Sequence, residues 1–501
     1  MEYDIIVLGG GPGGYLAAER AGQSQKKVLF IEEAHLGGTC LNEGCIPTKT
    51  LLYSGKLYAH AKHSQAYGVH AKEVTLDHSA VIDRKEQVIR TLVGGVGAAL
   101  KACHVDVVDA KGVITGRTAD GCTVEAGGQT YTAKNLIIAT GSSCAVPPIP
   151  GLKEGLASGF VLTNREMLAL RELPQHLVVL GGGVIGLEMA TYYAMADVDT
   201  TVVEMQDHIG GPSDRDMVKI LQKNCEAEGM HFLLNAKVTE IREGSVIYEQ
   251  GGKTCTLPAD KVLLSIGRKP NTAGIGLENI GVLTERGAIV TDERMQTNVP
   301  GIYAVGDANG KAMLAHTAYR EAEVAVNNIL GKRDRMRYQA IPSVLYTVPE
   351  LSSVGETEES AKAKGYDVKV VKLPMSYSGR YVAENQGGDG ICKLVFDKRT
   401  KTLLGAQALA NYSSEFIIAA GICMELELTV AESHCGGDPA GSHLQILSRH
   451  NGRRRAERCL SSYLWTPEKC GHPAKLSLPP FWKISTRKPL RTKSETSPER
   501  I

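Results

Sequence analysis

Two stretches of this chain repeat one plan, and the repeat limits the fold more than any other feature. YDIIVLGGGPGGYLAAERAGQSQKKVLFIEE (3–33) and HLVVLGGGVIGLEMATYYAMADVDTTVVEM (176–205) each run from an apolar β-rich segment through a glycine turn into an alanine-rich helical segment. Each then continues into a second β run that ends on an acid. The G-x-G-x-x-G glycines are Gly9, Gly11 and Gly14 in the first copy and Gly181, Gly183 and Gly186 in the second. The acids are Glu32 and Glu204, at the same spacing from the third glycine. Strand, turn, helix and strand in that order predict an α/β chain with two Rossmann-like dinucleotide-binding folds. The glycines let backbone approach a pyrophosphate, the helix N-terminus offers it unpaired N–H groups, and the acid accepts hydrogen bonds from a ribose hydroxyl. Two such sites on one chain imply electron transfer between two dinucleotides. Glu204 would repel a 2′-phosphate, and the MQDHIGG beside it offers no arginine to hold one, so the second site reads as NAD(H) rather than NADP(H).

The length of 501 residues exceeds one ordinary core and predicts two to four domains. Charge is close to balanced, which gives no electrostatic reason to expect a nucleic-acid partner. No apolar run approaches the roughly 20 residues that span a bilayer, so no membrane association is expected. Met1 is followed almost at once by the first β run, so no cleavable leader is expected. Twelve cysteines, mostly scattered singly, suggest reduced thiols in the cytoplasm, and a close pair stands out against them. That pair is Cys40 and Cys45 in GGTCLNEGCIPTKT (37–50), followed by Lys49. Structural zinc would need two further ligands that the stretch does not supply, and no metal is expected. A disulfide across so short a loop would constrain the unfolded chain little. A reversible redox pair and two ordinary buried thiols both remain open on the residues alone.

GGTCLNEGCIPTK resembles the active-site signature of the pyridine nucleotide–disulfide oxidoreductases, and its LN and CIP point to the dihydrolipoamide dehydrogenase branch more than to glutathione or mercuric reductase. IIATGS (137–142), SIGRKPN (265–271), TNVPGIYAVGDAN (297–309), MLAHTAYREAE and PSVLYTVPELSSVG agree, so the resemblance runs from about residue 2 to about 432. It implies FAD in the first nucleotide fold, with Gly9, Gly11, Gly14, Glu32, Lys49, Ala110, Gly141, Asp307 and Ala315 around it. It implies NAD in the second, with Gly181, Gly183, Gly186, Glu204, Val238, Gly267 and Arg268. Cys40, Cys45, Lys49 and Glu188 would be the catalytic residues, Lys49 pairing with Glu188. A dithiol substrate would attack the Cys40–Cys45 disulfide, pass through a mixed disulfide at Cys40, and leave Cys45 as a thiolate. The implied domains are FAD-binding at 1–145 and 270–338, NAD-binding at 146–269, and an α+β dimerisation domain at 339–433. The implied partners are a second copy of the chain and a lipoyl-bearing protein of a multienzyme complex. The alternatives are another disulfide reductase of the family, or a non-catalytic flavin-binding product of an altered gene.

The pattern stops near Ser433. The resemblance calls for a His about at position 441 and a Glu about at 446, as general base and its orienting acid across the dimer. The chain has Gly441 and Ile446 there, and His434 and His443 lack the expected context. Residues 434–501 hold 13 Lys and Arg against 5 Asp and Glu and read as a disordered basic tail. One hypothesis is a frameshift near Ser433: moving the frame one base forward over HCGGDPAGSHL permits I-A-x-x-I-x-x-x-P-T-F, close to the expected run, although it restores neither His nor Glu. Resequencing codons 425–450 tests it, and an unambiguous in-frame read removes it.

Overall fold

A computed structural model describes residues 2–119 and 121–429. Residues of the expected basic tail, with Gly441 and Ile446, lie outside them. The first copy of the repeat builds strands Glu2–Leu8 and Val28–Glu32 around helix Pro12–Gln23. The two strands pair in parallel, Ile5 opposite Val28 and Leu8 opposite Ile31. Strands Asp106–Asp109 and Gln129–Ile138 flank them, and Ile302–Ala304 joins the far side of Gln129–Ile138 in parallel. The first half of Gln129–Ile138 also carries an antiparallel wing, Val113–Thr118 and Gly121–Ala126, which closes a seven-stranded sheet. Strands buried on both faces explain the unbroken apolar runs: Ile5, Ile6 and Val7 are all fully buried.

The second copy forms its own sheet. Strands Met230–Leu233, Asp199–Val203, His176–Leu180, Lys261–Leu264 and Val161–Leu162 lie side by side in that order, all parallel, with helix Val184–Met195 after the glycine turn. An antiparallel meander, Lys237–Arg242, Ser245–Gln250 and Lys253–Pro258, stands beside it. A short antiparallel ladder, Ser142–Cys144 with Arg268–Pro270, connects the two halves. From Pro342 the chain makes a third sheet, antiparallel and five-stranded, under helix Ser413–Glu425.

The helix that carries Cys45 and Lys49, Cys45–His63, spans this arrangement. Its Leu51 and Leu52 bury against Leu187, Tyr192 and Met195 of the second glycine helix. Gly55 lets the two helices approach, because a Cβ there would lie 2.8 Å from Met195 Cε and 3.2 Å from Tyr192. Among the described residues no helix is long and apolar enough to cross a membrane.

A buried charge cluster ties the second sheet to the third. Lys393, in strand Ile391–Asp397, sends its ammonium 2.7 Å from Asp214, 3.1 Å from Asp216 and 3.3 Å from Glu358. The Lys393 and Asp214 side chains are each 3 % exposed. Burial alone would push the Lys393 amine down, but hydrogen bonds to Asp214 and Asp216 outweigh it and hold the amine above its ordinary value. Asp214 also caps helix Arg215–Ala227. Removing one member of a buried ion pair strands the other, which typically costs about 3–5 kcal/mol. Lys393→Met is therefore expected to lower stability by about that amount in urea denaturation; an unchanged midpoint would show that the acids are reached by water.

Candidate functional site

Both glycine turns have the same atomic construction. Gly9 and Gly181 have φ of 103° and 100°. A Cβ on Gly14 would lie 1.8 Å from the Gly9 carbonyl oxygen, and one on Gly186 would lie 2.2 Å from that of Gly181, so the third glycine lets each helix close on its own strand. Gly11 and Gly183 are different: a Cβ on either would meet no protein atom within 4 Å. They are the N-caps of helices Pro12–Gln23 and Val184–Met195, and neither helix is capped by a side chain. Each turn thus presents open space in front of helix N–H groups, which is the shape and charge a pyrophosphate needs.

The acids close these turns from the next strand. Glu32 accepts from the Gly10 amide and, at 2.7 and 3.2 Å, from those of Ala34 and His35. Glu204 accepts from Gly182 at 2.7 Å and Gln206 at 2.8 Å. A carboxylate has about four acceptor positions, so each retains capacity for a ribose hydroxyl after holding its turn. Ala110 follows strand Asp106–Asp109 and donates its N–H to the Glu32 carbonyl at 2.9 Å. Val238 packs on the core of the second half.

Cys40 lies in the short helix Gly38–Asn42, and Cys45 opens helix Cys45–His63. This loop is pinned to the first glycine turn: Gly37 donates to the Gly10 carbonyl at 2.9 Å, and a Cβ on Gly38 would lie 2.6 Å from Gly11 Cα. The Cys40 and Cys45 sulfurs share a hydrogen bond. That bond lowers the Cys45 thiol, burial opposes it, and the Lys49 ammonium, one helical turn on, lowers it further. Cys40 is held far above the usual thiol range by the same bond and by burial. The helix start at Cys45 adds its positive dipole end.

Lys49 donates to both oxygens of Glu188, at 3.0 and 2.8 Å, and lies 4.3 Å over the ring of Tyr346. Glu188, 4 % exposed, also accepts the Tyr346 N–H at 3.1 Å. Tyr346 has no signal in the sequence, because nothing local marks it as a partner of residue 188.

Asp307 sits in the turn Gly306–Asn309 and accepts from Ser142 Oγ. Arg268, in the family reading a pyridine-nucleotide residue, here donates from Nε to Ser142 Oγ at 2.7 Å, with its Nε 4.0 Å from Asp307. Gly141 and Gly267 stand at the ends of the connecting ladder with positive φ and open space where a Cβ would be. Ala315 opens helix Ala315–Ile329, which lacks a side-chain cap, and Thr317 in its first turn has a buried hydroxyl without a partner. An uncapped helix start and an orphaned hydroxyl beside the Asp307 turn fit a polar group of a bound cofactor. Glu321, fully buried, holds that turn by accepting from the Gly306 amide at 2.6 Å, Asn309 Nδ2 at 2.9 Å and Tyr338 OH at 2.6 Å. Its signal in the sequence was an acid in phase with Ala318, Ala322 and Ala325, on the face that packs inward. Among the described residues no cluster of three or more His, Cys, Asp or Glu is arranged to hold a metal.

The sequence profile of the pyridine nucleotide-disulphide oxidoreductases matches residues 3–322, and that family's dimerisation-domain profile matches 341–436. The chain belongs to this family. It is 40% identical over 441 residues to a dihydrolipoyl dehydrogenase of Geobacillus stearothermophilus, covering 86% of this chain and 92% of that protein. A dihydrolipoyl dehydrogenase of Mycoplasma pneumoniae is 38% identical over 436 residues, 86% and 93% of the two chains. The HOCl-induced flavoprotein disulfide reductase RclA from Escherichia coli superposes with a TM-score of 0.77 at 29% identity, over 89% of this chain and all of that one. Family membership makes the chain a flavoprotein oxidoreductase that uses FAD and NAD.

The charges around Cys45 give a sign test. Lys49 lowers the thiol and Glu188 raises it. In the reduced protein, thiolate absorbance of Cys45 is expected to titrate higher in Lys49→Met and lower in Glu188→Gln. Curves that superimpose on the parent's would show that neither charge reaches the sulfur.

Proposed function

We propose that the chain is an FAD- and NAD-dependent dihydrolipoamide dehydrogenase acting as a homodimer in the cytoplasm on lipoyl groups of a 2-oxoacid dehydrogenase or glycine cleavage complex. The observation that carries this is the contact of Cys40 with a Cys45 held low by its surroundings, on a loop packed against the first glycine turn. The likeness to dihydrolipoyl dehydrogenases supports the substrate, and the dimerisation domain supports the dimer. Twelve cysteines, mostly scattered singly along the sequence, suit a reducing compartment.

In this reading Gly9, Gly11, Gly14, Glu32, Lys49, Ala110, Gly141, Asp307 and Ala315 hold FAD. Gly181, Gly183, Gly186, Glu204, Val238 and Gly267 hold NAD, and Arg268 serves it while anchored on Ser142. Bound FAD supplies the two-electron relay between the thiol pair and the nicotinamide. The chain's own part is thiol–disulfide exchange. A substrate thiolate attacks Cys40 of the disulfide, the S–S bond breaks, and Cys45 leaves as a thiolate beside Lys49. The second substrate thiol displaces Cys40 from the mixed disulfide, which closes the substrate's ring and leaves Cys40 protonated; one proton of the dithiol is released. The Lys49 ammonium, which lowers Cys45, favours that sulfur as the leaving group. Glu204 would repel a 2′-phosphate, and Arg215, eleven residues on, is paired with Asp207 at 2.9 Å, which favours NAD⁺ over NADP⁺.

Deprotonating the incoming thiol needs a base, and neither expected residue stands at 441 or 446. General-base catalysis is worth roughly 10²–10⁴-fold. Steady-state oxidation of dihydrolipoamide with NAD⁺ and NADP⁺ is expected to show yellow protein, NAD⁺ preference and turnover reduced on that scale. Turnover at ordinary rates would mean that another group acts as base. The second reading, a flavin-binding protein without dithiol chemistry, draws on the same departure near Ser433; it predicts flavin bleaching by NADH with no dihydrolipoamide turnover at all.

A further inference from the structure

The two sulfurs sit on separate helices joined by only Glu43 and Gly44. Whatever fixes that two-residue link fixes how the sulfurs face each other. Within the loop, the Glu43 N–H bonds the Thr39 carbonyl at 2.8 Å, and Asn42 Nδ2 bonds the Leu36 and Gly38 carbonyls at 3.0 and 2.9 Å. The remaining groups of Glu43 are taken by the other half of the chain. Asn164, 8 % exposed, donates from Nδ2 to the Glu43 carbonyl at 2.6 Å. Arg165 Nε lies 2.8 Å from Glu43 Oε1. Both come from helix Asn164–Ala169, which starts in a capping box: Thr163 and Glu166 satisfy the helix end between themselves, so the Asn164 amide is free to reach across.

We propose that Asn164 is a positioning residue for the Cys40–Cys45 couple, holding the Glu43 carbonyl so that the two sulfurs stay within bonding reach, with Arg165 as an outer support. The proposal rests on the redox role of the pair set out above. Arg165 is 62 % exposed, so its ion pair contributes little by itself. The part-buried Asn164 bond is the stronger candidate, because losing that amide removes the Glu43 carbonyl's donor from the other half of the chain. The consequence is thermodynamic. In the disulfide form the covalent bond already restricts the link; in the dithiol form the link depends on its hydrogen bonds, to which Asn164 contributes from the other half of the chain. Freeing the link gives its entropy mainly to the dithiol, lowers the effective concentration of one sulfur at the other, and moves the couple toward reduction.

The test equilibrates the holoenzyme, without oxygen, against mixtures of reduced and oxidised dithiothreitol. Reduced dithiothreitol breaks the Cys40–Cys45 bond through a mixed disulfide and departs as its cyclic disulfide, leaving two thiols. Alkylation of the quenched protein and mass spectrometry of the 37–50 segment give the ratio of dithiol to disulfide. Asn164→Ala is expected to raise that ratio about three- to tenfold at fixed dithiothreitol poise, the scale of one ordinary hydrogen bond. Asn164→Ser keeps a short donor and is expected to recover part of the shift; Asn164→Asp, which offers a charge and no donor, is expected to match or exceed Ala. Arg165→Ala, on the surface, is expected to shift it less than twofold. An unmoved equilibrium in yellow Asn164→Ala protein overturns the proposal, and if that variant does not fold, an unmoved equilibrium in Asn164→Asp does so. A parent protein that never forms the Cys40–Cys45 disulfide at any poise would instead overturn the redox reading itself.

Discussion

One buried carboxylate, Glu188, holds the three sheets in register around the thiols. It is nearly out of reach of water, so its charge has to be matched by the protein. Lys49 comes from the helix that follows the first sheet's redox loop, Glu188 from the second glycine helix, and the Tyr346 N–H from the end of a third-sheet strand. The two donors arrive from different parts of the chain, and losing Lys49 would strand the charge. The ring of Tyr346 under the ammonium shields the pair further. Cys45 lies one turn before Lys49, so the network that joins the sheets also sets the electrostatic surroundings of the reactive sulfur.

The close packing around that network follows from glycine. Gly38 lies against Gly11 and Gly14 against Gly9, each at a separation no side chain would allow, and Gly55 lies close against Tyr192 and Met195. The first of these brings the thiol loop to the mouth of the turn that faces the open space. The second does the same service for the helix, whose N–H groups would otherwise stand too far back. Glycines at 11 and 183 have a different purpose, since a side chain there would strike no protein atom and would only fill the space in front of the helix.

What could be read in advance was local. The repeat was legible because strand, turn, helix and acid fall within about thirty residues, and the hydrogen bonds of Glu32 and Glu204 close inside that span. Cys40 and Cys45 stood out for the same reason, as a close pair in one loop, while their redox role and that of Lys49 needed the family resemblance. Glu188 needed a family resemblance, since its partner lies 139 positions away. Tyr346, Asn164 and the cluster around Lys393 were not legible at all: each depends on segments that meet only after the sheets have formed. Arg268 shows the intermediate case. Its neighbourhood was assigned to the second nucleotide site, yet its guanidinium is spent on Ser142 beside Asp307, which links that neighbourhood to the first.

The small ladder between Ser142–Cys144 and Arg268–Pro270 carries an evolutionary implication. Ser143 faces Lys269 across it, and Asn271 returns its N–H to the Gly141 carbonyl at 2.9 Å. Partners in such a ladder stand only about 5 Å apart. The chain therefore leaves the first half and comes back to it at nearly the same point, having completed an entire second sheet in between. A duplicated nucleotide-binding unit could have been spliced into its parent there without displacing a single host strand, and excising it would leave ends that a tight turn can join.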